Sequence, residues 1–236
     1  MAMTLRDIAQ MIDHALLAPG MTDQEVVAGC ALAARYGVKA VCVKSYSVPL
    51  VKKALLKSPT LICAVIGFPH GNSMTSAKLR EAQEALAAGA HEIDMVINIG
   101  KARSAEWEYV NEEIRLIDRA CQRHSAPLKV IFENDFLSDA EIIKLCEIAS
   151  QLNVAFIKTS TGFGFSRQAD GAYNYKGATM AQVALMRQHA APHIRIKASG
   201  NIRTLDDVLK FKDLGCSRIG TSATKNILEE AQRRGL

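Results

Sequence analysis

Residues 154–162 read Val-Ala-Phe-Ile-Lys-Thr-Ser-Thr-Gly, an apolar run that ends on a lysine and passes into small hydroxyl residues and a glycine. Alternation puts Val154, Phe156 and Lys158 on one face of a strand. A strand buried on both faces of a parallel sheet is ordinarily apolar throughout. A lysine at its C-terminal end therefore needs a partner, because an unpaired buried charge is costly. The same feature recurs elsewhere in the chain. Glu92 and Asp94 share a face of the run Glu92–Ile97, Lys129 and Glu133 of Leu128–Glu133, and Arg195 and Lys197 of Ile194–Lys197. The simplest arrangement points all of these charges into the top of one barrel, where they neutralise each other and where barrel enzymes keep their catalytic groups.

Working outward, further apolar runs read as strands at Ile12–Leu16, Val38–Val43, Leu61–Gly67 and Arg218–Gly220. Amphipathic stretches separate the runs: Asp23–Tyr36, Ser76–Ala88, Trp107–Cys121, Asp139–Leu152, Ala178–His189 and Leu205–Leu214. Strands alternating with helices predict a parallel sheet with right-handed crossovers. Eight such runs in 236 residues match a single (β/α)₈ TIM barrel of ~250 residues, here expected to span residues 1–236 as one domain. A doubly wound open sheet is the alternative. Phe163–Lys176 reads as one long irregular loop after the lysine strand, and loops of this length in a compact domain are usually functional or mobile.

Composition narrows the class. Hydrophobic residues make up 49% and charged residues 22%, with a net charge of +5 spread along the chain. Without a run of like charges, this implies no nucleic-acid partner. No apolar run reaches the ~18 residues of a membrane span, and residues 1–10 lack the apolar core of a signal peptide. The six cysteines, none spaced as C-x-x-C, read as free thiols in a reducing cytoplasm. The histidines are scattered without HxH or HExxH spacing, so no metal is expected.

An amine nucleophile must be uncharged to attack a carbonyl, yet a free lysine with a pKa of ~10.4 is almost wholly protonated at neutral pH. Desolvation and a nearby second cation lower that value. Lys197 is placed to be that cation, and Asp94 to shuttle protons and keep Lys197 charged. A purely structural reading stays open, in which Lys158 and Lys197 pair with Asp94 and Glu133 in a satisfied polar core. Small residues after the last strands, Gly200-Asn201 and Gly220-Thr221-Ser222 leading into the helical Lys225–Arg233, fit a phosphate site at a helix N-terminus. Gly162 adds a further donor. Ordinary turns and a helix cap are the alternative reading.

These residues carry a resemblance. Ile12-Asp13-His14, Val41-Cys42-Val43, Val65 to Gly71, Glu92 to Asn98, Phe156 to Phe163, Lys197-Ala198-Ser199-Gly200 and Arg218 to Ser222 occur in an order that resembles the deoxyribose-phosphate aldolase family. The resemblance implies a (β/α)₈ barrel without metal or organic cofactor. It also implies reversible addition of acetaldehyde to D-glyceraldehyde 3-phosphate, giving 2-deoxy-D-ribose 5-phosphate. It makes Lys158 the Schiff-base lysine, Lys197 the second lysine, and Asp94 the relay carboxylate. Phosphate binding then falls on Gly162, Gly200, Gly220 and Ser222, with Asn201 where the family usually carries a second glycine. The implied partners are small sugar phosphates and acetaldehyde, with self-association into a homo-oligomer. Rival functions are a class I aldolase for another aldehyde or sugar phosphate, and a non-catalytic sugar-phosphate-binding barrel.

Overall fold

A computed structural model describes residues 3–167 and 170–236. Residues 1, 2, 168 and 169, which fall within the expected 1–236 domain and the expected 163–176 loop, lie outside the described residues. In chain order the elements are α1 (Leu5–Met11), β1 (Ile12–Leu16), α2 (Asp23–Tyr36), β2 (Ala40–Lys44), α3 (Val48–Ala54) and β3 (Leu61–Ile66). They continue with α4 (Thr75–Ala88), β4 (Glu92–Val96), α5 (Ile99–Arg103), α6 (Trp107–Gln122), β5 (Leu128–Ile131), α7 (Asp139–Gln151) and β6 (Phe156–Lys158). The last are β7 (Ser166–Arg167), β8 (Tyr173–Asn174), α8 (Met180–His189), β9 (Arg195–Ser199), α9 (Leu205–Asp213), β10 (Cys216–Thr221) and α10 (Thr224–Arg233).

Eight parallel strands close on themselves in the order β1-β10-β9-β6-β5-β4-β3-β2. This is the (β/α)₈ barrel, and the open sheet is excluded because β1 pairs with both β2 and β10. Sequence reading misses α1, α3 and α5, each of at most seven residues, too short to show helical periodicity. The segment read as an irregular loop carries a small antiparallel hairpin, β7 with β8. Glu133 also departs from the expected alternation. Strand β5 ends at Ile131, and Glu133 sits beyond it with φ 60 in the left-handed region.

Helix starts are encoded locally. Thr4, Thr22, Ser138 and Thr204 each cap a helix, and the acidic residue three positions on returns a hydrogen bond to the cap backbone, which satisfies two otherwise orphaned donors at each end. The apolar core lies between the sheet and the helices, with Ile62, Ile93, Val130, Ile157, Ile196 and Ile219 on the outward faces of successive strands. The barrel interior is different: one side is lined by Ala40, Cys42, Cys63 and Val65, and the other side is charged.

Among the described residues, one buried ion pair lies outside the barrel. Lys78 on α4 reaches Glu113 on α6 at 2.9 Å, with both side chains fully buried. Lys78 Nζ also donates to the Val96 carbonyl at 2.8 Å, and Glu113 accepts from the Asn98 amide at 3.0 Å. The pair thus ties two helices to the end of β4. Glu113→Ala is expected to cost roughly 3–5 kcal/mol, because it strands a buried ammonium. Urea unfolding measures this, and the double variant Lys78→Met/Glu113→Leu should recover only part of the loss, because the Val96 carbonyl and Asn98 amide lose their partners.

Candidate active site

Lys158 ends β6 and is 2% exposed. Its Nζ donates to Asp94 Oδ2 at 2.7 Å, and Lys197 Nζ donates to the same oxygen at 2.8 Å. The other oxygen, Asp94 Oδ1, accepts from Lys129 Nζ at 2.8 Å and from the Cys63 thiol at 2.9 Å. Burial pushes the Asp94 carboxyl up, but Lys129, Lys158, Lys197 and the Cys63 thiol outweigh it and hold the group well below the usual carboxylate range.

The network extends beneath Asp94. Lys197 also meets Asp13 at 2.5 Å. Arg218 bridges Asp13 at 2.7 Å and Glu92 at 2.5 Å, and Lys129 meets Glu92 at 2.6 Å. Among these groups four cations, Lys129, Lys158, Lys197 and Arg218, face three carboxylates, Asp13, Glu92 and Asp94. Lys129 meets all three carboxylates, and Lys197 and Arg218 two each, whereas Lys158 has one oxygen and shares it. Lys158 is therefore the cation of the cluster with the fewest ion-pair partners.

Sequence reading picks out Lys158, Lys197 and Asp94, and the fold brings them together. It misses Asp13 and Arg218 as members of the cluster. Their signal was available: each is a charge inside an apolar run on strands that pair with each other. The alternative partner Glu133 does not meet either lysine in an ion pair. Its carboxylate instead accepts from the backbone amide of Thr161 at 3.2 Å and from the Thr161 hydroxyl.

Above Lys158 opens a cavity of about 640 Å³. Lys158, Lys197, Gly162, Gly200, Asn201, Gly220 and Ser222 all line it. Arg203 stands at the same rim, a cation that the sequence reading did not assign to the site. The exit loops of β6 and β9 are stitched together: Thr159 Oγ1 donates to the Ser199 carbonyl at 3.1 Å, and Ser199 Oγ donates to the Ser160 carbonyl at 2.5 Å. Gly200, at φ +92, lets the backbones touch, since a Cβ there would come within 2.8 Å of Gly177 Cα.

Asn201 adopts φ 58, a conformation that asparagine tolerates better than most residues. Its amide turns to the hairpin loop and donates to the Tyr175 carbonyl at 3.4 Å and the Lys176 carbonyl at 3.0 Å. Asp135 holds the same end of the loop through the Lys176 and Gly177 amides at 2.8 and 3.0 Å. Glu133 holds the loop's beginning through Thr161. Phe163, Phe165 and Tyr175, from the loop expected over 163–176, line the cavity, with Phe165 and Tyr175 in an edge contact at 5.1 Å.

Among the described residues, Cys42, Cys63 and Asp94 offer donor atoms within 4.8 Å of one another. The ammonium groups of Lys129, Lys158 and Lys197 already occupy that carboxylate and oppose a further cation. Among the described residues, no helix is long and apolar enough to cross a membrane.

Residues 8–229 match the family described as DeoC/LacD family aldolase. A deoxyribose-phosphate aldolase of Actinobacillus succinogenes is 43% identical over 227 residues, covering 96% of both chains. One from Caldanaerobacter subterraneus is 41% identical over 234 residues, covering 99% of this chain and 97% of that protein. The solved tetrameric deoxyribose phosphate aldolase of Aeropyrum pernix superposes with a TM-score of 0.86 at 30% identity, covering 97% of this chain and 92% of that one.

Burial pushes the Glu133 carboxyl up from 4.5 to about 7, with the Thr161 hydrogen bonds opposing it. A folded-state value above the unfolded one gives stability that is present at low pH and lost as pH rises. Relative to Glu133→Gln, the native protein is therefore expected to lose on the order of 1–3 kcal/mol between pH ~4.5 and ~7. Parallel denaturation curves for the two proteins across that window would refute this cause.

Proposed function

The chain belongs to the DeoC/LacD aldolase family, and from that premise we propose that it is a class I aldolase acting on 2-deoxy-D-ribose 5-phosphate. It cleaves that sugar reversibly to D-glyceraldehyde 3-phosphate and acetaldehyde through a Schiff base on Lys158, within one aldolase domain over residues 1–236. The observation that carries this is the position of Lys158 Nζ: at the floor of the cavity, on one Asp94 oxygen shared with Lys197.

Lys158 Nζ, as the neutral amine, adds to the substrate aldehyde carbon, and loss of water gives a protonated imine. The imine draws the electron pair of the C2–C3 bond as the C3 hydroxyl gives up its proton, releasing glyceraldehyde 3-phosphate. The enamine that remains takes a proton at carbon, and water frees acetaldehyde and the amine. Asp94 and Lys197 are the proton-handling groups within reach of the nitrogen. Both stay charged at rest: the lysines and the Cys63 thiol hold Asp94 low against its burial, and Asp13 and Asp94 hold Lys197 high against its own.

Borohydride reduction with acetaldehyde should fix added mass on the peptide carrying Lys158. Asp94→Asn should lower kcat/KM by ~10²–10⁴-fold, the usual worth of a positioned acid–base group. Labelling at Lys197 instead, in an active protein, overturns the assignment.

Gly162, Gly200, Asn201, Gly220 and Ser222 are read as the phosphate site, at the N-terminal end of α10 and beside Arg203. The Asn201 side chain points to the loop, so its backbone amide stays available to an anion. Leu16, Leu17, Met21, Phe163 and Phe165 also line the cavity, which favours a second reading, a class I aldolase for a less polar aldehyde. The unpaired state of all six cysteines supports a cytoplasmic setting, and the tetrameric Aeropyrum pernix relative supports self-association. Charge-assisted hydrogen bonds are worth roughly 1.5–3 kcal/mol each. The phosphorylated sugar should therefore exceed 2-deoxyribose in kcat/KM by at least ~100-fold. Asn201→Gly should raise KM by no more than roughly tenfold with little change in kcat. A ratio near unity would favour the second reading.

A further inference from the structure

Two buried thiols meet under the cavity. Cys42 on β2 and Cys63 on β3 are directly paired in register, and their sulfurs lie within 4.8 Å of each other and of an Asp94 oxygen. Neighbouring strands run ~4.7–4.9 Å apart, inside the ~4.4–6.8 Å between Cα atoms that a disulfide spans. Their surroundings differ. Cys42 Sγ lies 3.3 Å from Lys197 Nζ and lines the cavity, while Cys63 is fully buried with Lys129 Nζ at 3.2 Å. We propose that Cys42 and Cys63 form a dithiol that small hydroperoxides oxidise to a reversible disulfide, silencing the site above it.

The asymmetry assigns the roles. The neighbouring Cys63 sulfur and, against burial, the charge of Lys197 hold the Cys42 thiol below its ordinary value. Burial, with Cys42 and Asp94 beside it, pushes Cys63 well above its own. A thiolate is the nucleophile in such chemistry. Cys42 Sγ attacks the terminal peroxide oxygen; the O–O bond breaks, an alcohol or water leaves with a proton, and the sulfur becomes a sulfenic acid. Cys63 Sγ then attacks Cys42 Sγ, its proton passing to the departing hydroxide. The S–O bond breaks, water leaves and the S–S bond forms. Two thiols and one hydroperoxide thus give one disulfide, one water and one alcohol or second water.

The disulfide removes the Cys63 thiol proton that Asp94 Oδ1 accepts, and it draws Cys42 away from Lys197. Loss of aldolase activity rests on the function proposed above, but the linkage itself does not. The whole protein is treated with hydrogen peroxide or cumene hydroperoxide and mapped by mass spectrometry without reduction. The expected product joins the peptides carrying Cys42 and Cys63 with loss of two hydrogens. It forms in step with a fall in activity on the order of tenfold or more, and dithiothreitol reverses both. In Cys63→Ala the sulfenic acid should persist at Cys42 and be trapped by dimedone. Exposed Met74, at 71%, reports that oxidant reached the protein. Met74 oxidised with Cys42 and Cys63 unlinked would overturn the proposal, as would inactivation that precedes linkage. Linkage in a protein that never yields a borohydride-trapped imine would sustain the dithiol and remove the aldolase reading alone.

Discussion

Everything inside the barrel is arranged around one carboxylate. Asp94 lies on β4, is fully buried, and is reached by ammonium groups from β5, β6 and β9. Alone, either sign would be intolerable there, since a buried unpaired charge pays most of its hydration free energy. Together they bind four strands of the barrel through charge as well as through the backbone ladder. Lys158 differs from the others in having Asp94 as its one ion-pair partner. A demand of folding, that buried charges be matched, places one singly paired amine where the cavity begins.

A layer of loops stands above this cluster and is fixed by the same economy of polar groups. Glu133 and Asp135, two residues apart on the turn after β5, hold the two ends of the long loop that follows Lys158. Asn201 adds a tie from the β9 side. Side chains thus anchor both ends of the loop, and the β7–β8 pairing links its described arms. Its aromatic residues enter the cavity because both ends are fixed.

How much of this the sequence discloses depends on range. Lys158, Lys197 and Asp94 were legible because a charge in an apolar strand is a local contradiction that a barrel interior resolves. The strand runs were legible for the same reason, with ends wrong by a few residues, since pairing with neighbours sets where a strand stops. Asp13 and Arg218 were overlooked because their partnership joins strands that are neighbours in the barrel but lie at opposite ends of the sequence. Glu133 was misplaced because the left-handed turn that breaks the alternation leaves no mark on a non-glycine residue. The reach of Asn201 to Tyr175 and Lys176 is invisible without coordinates. Asn201 stands where the family usually carries a second glycine and was read among the phosphate-binding residues, while its side chain also tethers the loop.

Barrel closure through β1 and β10 has a consequence for synthesis. A ribosome delivers Asp13 early and Arg218 late. Until β10 has emerged, Asp13 faces the interior without its guanidinium, Glu92 lacks half of its counter-charge, and the sheet has an open edge. The lysines of the intervening strands are all present at that stage, yet the lattice of charge that ranks them is incomplete. A chain stalled before β10 holds every group of the Lys158–Lys197–Asp94 set and still lacks the arrangement that distinguishes one lysine from another. The full charge arrangement around Asp94 therefore arrives with barrel closure, and does not accumulate strand by strand.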